Sequence, residues 1–293
     1  MVLETIIRPK EIRKHPLVMV GLSIVFSSIG IMLAYYTFPQ SASLLSLGFV
    51  TVMMMPTLHA IFVQEEREEE ECPGRTTTFI ERHFDLIKIY SFFFIGLIIS
   101  YSLWYVVSPI EMRNTVFSEQ EGVLKNISEL RSTITGKAYT SAPQCTNDYW
   151  CIFWLIFKNN SMLLFLAIFF SFLLGVGAIF LIAWNASVIA VLIGKDAITT
   201  IAANPAGGPL VVLGAYSGGL FNAIGLIPHG MPEILGYLVG AIAGGIISVA
   251  ITRRKYMCKE FEVIVKDAAF LILIAVALLA LGALVESALI LGG

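Results

Sequence analysis

Long apolar runs separated by short charged stretches set the pattern of this chain. Neither Leu17 to Gln64 nor Ala268 to Val285 contains an Asp, Glu, Lys or Arg. A helix needs about 20 mostly apolar residues to cross a bilayer's hydrocarbon core. Segments matching that template are Leu17 to Tyr36, Ser43 to Val63, Leu86 to Val107, Ser161 to Trp184, Leu210 to Ile227, Ile234 to Ile251 and Ala268 to Leu291. The predicted fold is all-α: a polytopic transmembrane helical bundle of about seven spans with a small extracytoplasmic cap. Residues 185–205 read as an interfacial helix followed by the loop Asn204-Pro205-Ala206-Gly207-Gly208-Pro209, with a partial span as the alternative.

Composition narrows the function classes. Of 293 residues, 57% are hydrophobic and 14% are charged, against roughly 25% charged in globular proteins. An ordinary soluble enzyme is excluded. The net charge of -2 also excludes a broad nucleic-acid surface, which takes a concentrated excess of Lys and Arg.

Most of the 19 basic residues fall on one side when the N-terminus is cytoplasmic. The exceptions, Arg113, Lys125, Arg131, Lys137 and Lys158, are spread along residues 108–158. Because positive residues are retained inside, the chain reads as a multi-pass cell-membrane protein with segment 108–158 extracytoplasmic and the C-terminus outside. The first run ends in Tyr35-Tyr36 and Pro39 rather than a small-residue cleavage site, so it reads as an anchor. Cys145 and Cys151 lie in the outer segment, where oxidation into a disulfide is permitted, whereas Cys72 and Cys258 fall inside; two unpaired thiols are the alternative. Asn126-Ile127-Ser128 is a glycosylation sequon in that outer segment. The inner run Glu65-Glu66-Arg67-Glu68-Glu69-Glu70-Glu71 reads as a solvated helix extension.

Ionisable groups in hydrocarbon cost several kcal/mol unless paired or hydrated, which makes each a functional candidate. His59 reads as a hydrogen-bonded packing histidine. At Pro228-His229-Gly230-Met231-Pro232-Glu233, Pro228 and Gly230 end one helix and Pro232 suits the first turn of the next. Glu233 would then cap a helix N-terminus. The topology carries this junction to the outer face and brings Glu286 toward it, so His229, Glu233 and Glu286 could bind a divalent cation or share a proton. Asn222 lies close by in sequence. Gly214, Gly218 and Asn222 on the fifth span, and Gly236, Gly240 and Gly244 on the sixth, form small faces that let backbones touch. They predict a tight hairpin of those two helices, with Gly175 and Gly177 joining it, or a homodimer seam.

Lys158-Asn159-Asn160-Ser161, the glycine-containing helix that follows, Trp184-Asn185, Gly194, the Ile227 to Glu233 junction and Ala241-Ile242-Ala243-Gly244-Gly245 resemble the sporulation stage II protein M family. Asn185, His229 and Glu233 are the signature positions, with Gly230, Gly240 and Gly244 beside them. The resemblance implies a core over 86–293, preceded by a two-span addition with an acidic cytoplasmic loop over 1–85. It also implies a membrane scaffold working with envelope protein partners and having no hydrolytic site of its own. The family occurs outside spore formers, so the name does not imply sporulation. The competing reading is a transporter or channel with an ion or proton site at His229 and Glu233. An intramembrane enzyme ranks below both, for the chain carries no His-Glu-x-x-His, Gly-x-Ser-x-Gly or phosphate-loop motif.

Overall fold

A computed structural model describes residues 9–71, 79–134, 145, 148–174, 178–204, 208–223, 227–252 and 260–292. Its helices are α1 (Pro9–Lys14), α2 (Leu17–Thr37), α3 (Ala42–Glu71), α4 (Phe79–Val107), α5 (Ile110–Val116), α6 (Ser118–Ile134), α7 (Tyr149–Leu174), α8 (Ile179–Ala203), α9 (Gly208–Ala223), α10 (Ile227–Thr252) and α11 (Glu260–Gly292). No strand occurs among the described residues. Among the described residues, seven helices are long and apolar enough to cross a membrane: α2, α3, α4, α7, α8, α10 and α11. The chain is an all-helical, multi-pass membrane protein.

The number of spans matches the hydropathy reading, and five of them coincide with it, but the fourth and fifth do not. The expected span Ser161 to Trp184 straddles two helices: α7 starts earlier, at Tyr149, and α8 begins at Ile179. An apolar count cannot see that one helix ends at Leu174 and the next starts at Ile179, because the intervening Gly175-Val176-Gly177-Ala178 contains no polar residue to interrupt it. The stretch read as an interfacial helix is most of α8, a complete span of 25 residues. Lys195 and Asp196 therefore lie within a span rather than in an inner loop, and Asp196 Oδ2 accepts a 2.6 Å hydrogen bond from Asn222 Nδ2 on α9. The expected span Leu210 to Ile227 is replaced by α9, whose 16 residues rise only about 24 Å and cannot cross alone.

Close backbone approach joins α2 to both its neighbours. A Cβ at Gly30 would lie 2.8 Å from the Ser46 carbonyl oxygen of α3, and one at Gly96 of α4 would lie 2.9 Å from Val20 Cα. The Ser27 hydroxyl donates to Ser100 Oγ at 2.6 Å, and Trp104 Nε1 donates to Ser28 Oγ at 2.9 Å. Helix α8 packs on the other side of α4, where Gly194 meets the Tyr105 ring. A second group, α7, α10 and α11, meets the first mainly through α10 against α4, α3 and α8. One apolar core runs through both, from Met19 and Met54 to Phe93, Leu238 and Leu279. The first two spans are thus packed into the same body as the rest.

The expected hairpin of the glycine faces is not formed. Gly214 and Gly218 have open space beside them, while Gly236 faces Ala275 and Leu279 of α11, and Gly240 and Gly244 face α7. The closest packing is that of α10 with α11 and α7, not with α9. Fourfold glycine spacing announces a flat face, but nothing in the spacing names its partner. Gly175 and Gly177 lie outside the described residues.

Candidate functional site

Glu233 lies on the second turn of α10, with Pro232 inside the same helix. It therefore does not cap a helix start. Its carboxylate faces Asn160, near the middle of α7. Asn160 is only 6% exposed, and its Oδ1 accepts from Asn159 Nδ2 at 3.4 Å. Although the two side chains interact, Glu233 Oε1 and Asn160 Nδ2 are each buried without a full hydrogen bond. A carboxylate and an amide thus adjoin each other inside the bundle, each the other's nearest polar partner there.

Glu286 of α11 lies within electrostatic reach of Glu233 and of Tyr237, one turn further along α10. The structure thereby brings the two predicted carboxylates into one neighbourhood. His229 belongs to α10, but its side chain lies outside the described residues. Among the described residues, no three His, Cys, Asp or Glu side chains converge as a metal centre would require. Asn222 is held by Asp196. His59 is exposed on α3 rather than packed in the core.

Asn185 sits where the two helix groups meet. Its Nδ2 donates to the Leu181 carbonyl at 2.8 Å, and it lines a small crevice with Phe94, Ile182, Ile234, Tyr237 and Leu238. Sequence reasoning missed Asn160 and Tyr237 as site residues. Asn160 carried a signal, as a buried amide in an apolar run; Tyr237 was findable as the i+4 neighbour of Glu233.

Helices α5 and α6 are keyed into the bundle. Gln120, at the start of α6, is fully buried. Its Oε1 accepts from the Ser43 hydroxyl of α3 at 2.7 Å, and its Nδ-equivalent amide nitrogen, Nε2, donates to Ser187 Oγ of α8 at 3.1 Å. The Tyr105 hydroxyl donates to Glu121 Oε1 at 2.7 Å, and Arg113 of α5 donates to the Tyr105 and Ser108 carbonyls at 2.8 and 3.0 Å. Cys145 and Cys151 are joined in a disulfide with a Cα–Cα distance of 5.4 Å. Between them Asp148 caps α7, its Oδ1 accepting from the Trp150 and Cys151 amides at 3.0 and 3.2 Å.

The sequence profile of the family described as Stage II sporulation protein M matches residues 89–289. No curated protein and no solved structure matches the chain. The match runs from within α4 to within α11 and takes in Asn160, Asn185, Glu233 and Glu286: the chain belongs to the Stage II sporulation protein M family.

Proposed function

We propose that this protein is a non-enzymatic membrane component that helps organise the membrane or cell envelope as part of an assembly. The observation that carries the reading is the anchoring of α5 and α6. Gln120, Glu121 and Arg113 tie these helices to α3, α4 and α8, while Glu111, Asn114 and Glu119 are exposed. A rigid polar platform on a membrane bundle suits a docking partner better than a mobile lid would. The distribution of basic residues supports an orientation with that platform outside, in reach of envelope proteins. Family membership supports the membrane setting of this reading. The test is isolation of the intact complex from native membranes with a mild detergent. Stoichiometric envelope proteins retained with the wild type, and lost when Glu111 and Glu119 are replaced by Arg, support it; a bare chain in both preparations contradicts it.

A second reading, transport of an ion or solute, is favoured by the polar pair of Asn160 and Glu233 inside the bundle, the latter on a helix containing Pro232. Transporter sites are built where interrupted helices meet within the membrane. Flux through proteoliposomes that is lost in Glu233→Gln would bring this reading to the front.

A further inference from the structure

We infer that α9 is a helix of one leaflet: it lies in the half of the bilayer on the side of α5 and α6, and its outward face is a contact surface for the acyl chains of that leaflet. The inference starts from the directions of the helices. Asn185 of α8 stands beside Phe94 of α4, and further along both helices Gly194 meets the Tyr105 ring, so α8 runs parallel to α4, toward the platform. Helix α7 ends at Leu174 and α8 begins at Ile179, too short a connection to run back along a helix, so α7 runs the other way. Gly240 of α10 meets Leu164 of α7 and Gly244 meets Ile168, so α10 runs with α7, away from the platform. Helix α9 therefore follows a span that ends on the platform side and precedes one that starts there.

Its attachments fix its depth. The Tyr216 hydroxyl is hydrogen-bonded to Ser102 Oγ at 2.8 Å and lies 3.4 Å from the Ile99 carbonyl oxygen, about 8–12 Å short of the end of α4 at Val107. A Cβ at Gly219 would stand 2.7 Å from the Ile193 carbonyl oxygen, and Asn222 is bonded to Asp196. Each of these partners lies in the platform-side half of α4 or α8.

The occupant follows from the face that remains. At 3.6 residues per turn, Leu210, Leu213 and Phe221 fall on the side of α9 opposite Ala215 and Gly219. They are 82%, 66% and 72% exposed, whereas Ala215 is buried. No residue of α9 is charged. The apolar face continues onto exposed Leu192 of α8 and Leu103 of α4, which adjoin Ile193 and Ser102 in two spans at the same level. Surface at that level meets hydrocarbon, and a helix satisfies its interior backbone groups within itself, as lipid requires. Entering and leaving on one side, α9 meets the chains of that leaflet alone and makes the protein wider there by about 10 Å, one helix diameter. This does not rest on docking at the platform.

The test is site-directed spin labelling of the full chain in liposomes. Cys72→Ser and Cys258→Ser remove the free thiols, and Leu213→Cys or Phe221→Cys carries the label. Met162→Cys, exposed at the middle of α7, and Glu119→Cys on α6 serve as references. Collisions with oxygen, which concentrates in hydrocarbon, and with a water-soluble nickel chelate give the depth of each label. The expected result is that labels at 213 and 221 collide with oxygen more than the label at 119 and with nickel more than the label at 162, which puts them between the two. Should either variant fail to fold, Leu210→Cys and Ser217→Cys report the same face. Nickel collision as frequent as at 119 would place the face in water, and a depth as great as at 162 would place it at the midplane. Shielding from both reagents, with broadening between labels, would mean that a second copy covers it. Any of these three results overturns the inference.

Discussion

Gly244 of α10 lies directly on the main-chain carbonyl of Ile168 in α7, so that a Cβ at this position would collide with the oxygen. One turn earlier Gly240 meets the Leu164 side chain, and one turn before that Gly236 faces the Ala275 carbonyl of α11, 3.1 Å from where a Cβ would stand. The same glycine repeat therefore serves two partners. In lipid, where apolar surface gains little by leaving the solvent, such backbone approach is a main source of helix association.

Gly244→Val should cost about 1–3 kcal/mol, because the added atoms force α7 and α10 apart. Gly218→Ala, where open space surrounds the glycine, should change stability by less than about 0.5 kcal/mol. Thermal unfolding of both variants in one detergent reads the difference. Equal midpoints would mean that the α7–α10 seam is not formed as described.

Gln120→Leu removes both hydrogen bonds of the buried amide and leaves the Ser43 hydroxyl without its acceptor, while Ser187 keeps its bond to the Trp184 carbonyl. The expected cost is about 1–3 kcal/mol, falling first on the attachment of α5 and α6. Limited proteolysis should then cut residues 108–134 at protease concentrations that leave the wild type intact. An unaltered cleavage rate would show that Gln120 does not hold α5 and α6.

The disulfide makes topology accessible to measurement. An impermeant maleimide added to intact cells should label Cys145 and Cys151 only after reduction, with Cys72 and Cys258 labelled only after permeabilisation. Labelling of Cys72 in intact cells would reverse the proposed orientation.

Arg13 reaches Asp85 with Nε at 3.3 Å and Nη2 at 3.0 Å, tying α1 to the start of α4. Since the Asp85 side chain is 41% exposed, solvent screens the pair. A double-mutant cycle should give a coupling below about 1 kcal/mol, weaker still at high salt.

Fold class was legible because lipid demands long apolar helices, and the composition has few other solutions. The break between α7 and α8 was not, since Gly175-Val176-Gly177 is as apolar as a helix interior. Hydropathy windows slid across it, which is how α8 became a surface helix and α9 a span, while the last two spans stayed within α10 and α11. Glu233 and Glu286 were identifiable because a carboxylate in an apolar run must be accounted for. The depth of Glu233 was misjudged: Pro232 suits a helix start, yet α10 begins at Ile227. Asn160 was hidden by its place between Asn159 and Ser161, which read as the polar edge of a span. Its burial depends on α10, and no local pattern encodes that partner. Gln120 was invisible for the same reason, as its two partners lie on α3 and α8.

The central claim is that the outer platform docks a protein partner. The most direct measurement is site-specific photocrosslinking in native cells from an unnatural amino acid placed at exposed Glu119 of α6, with a lipid-facing position such as Phe165 of α7 as control. The account predicts a discrete protein adduct from position 119, identifiable by mass spectrometry and missing at position 165. Position 119 giving no protein adduct, in cells where the chain is intact and correctly inserted, would contradict it.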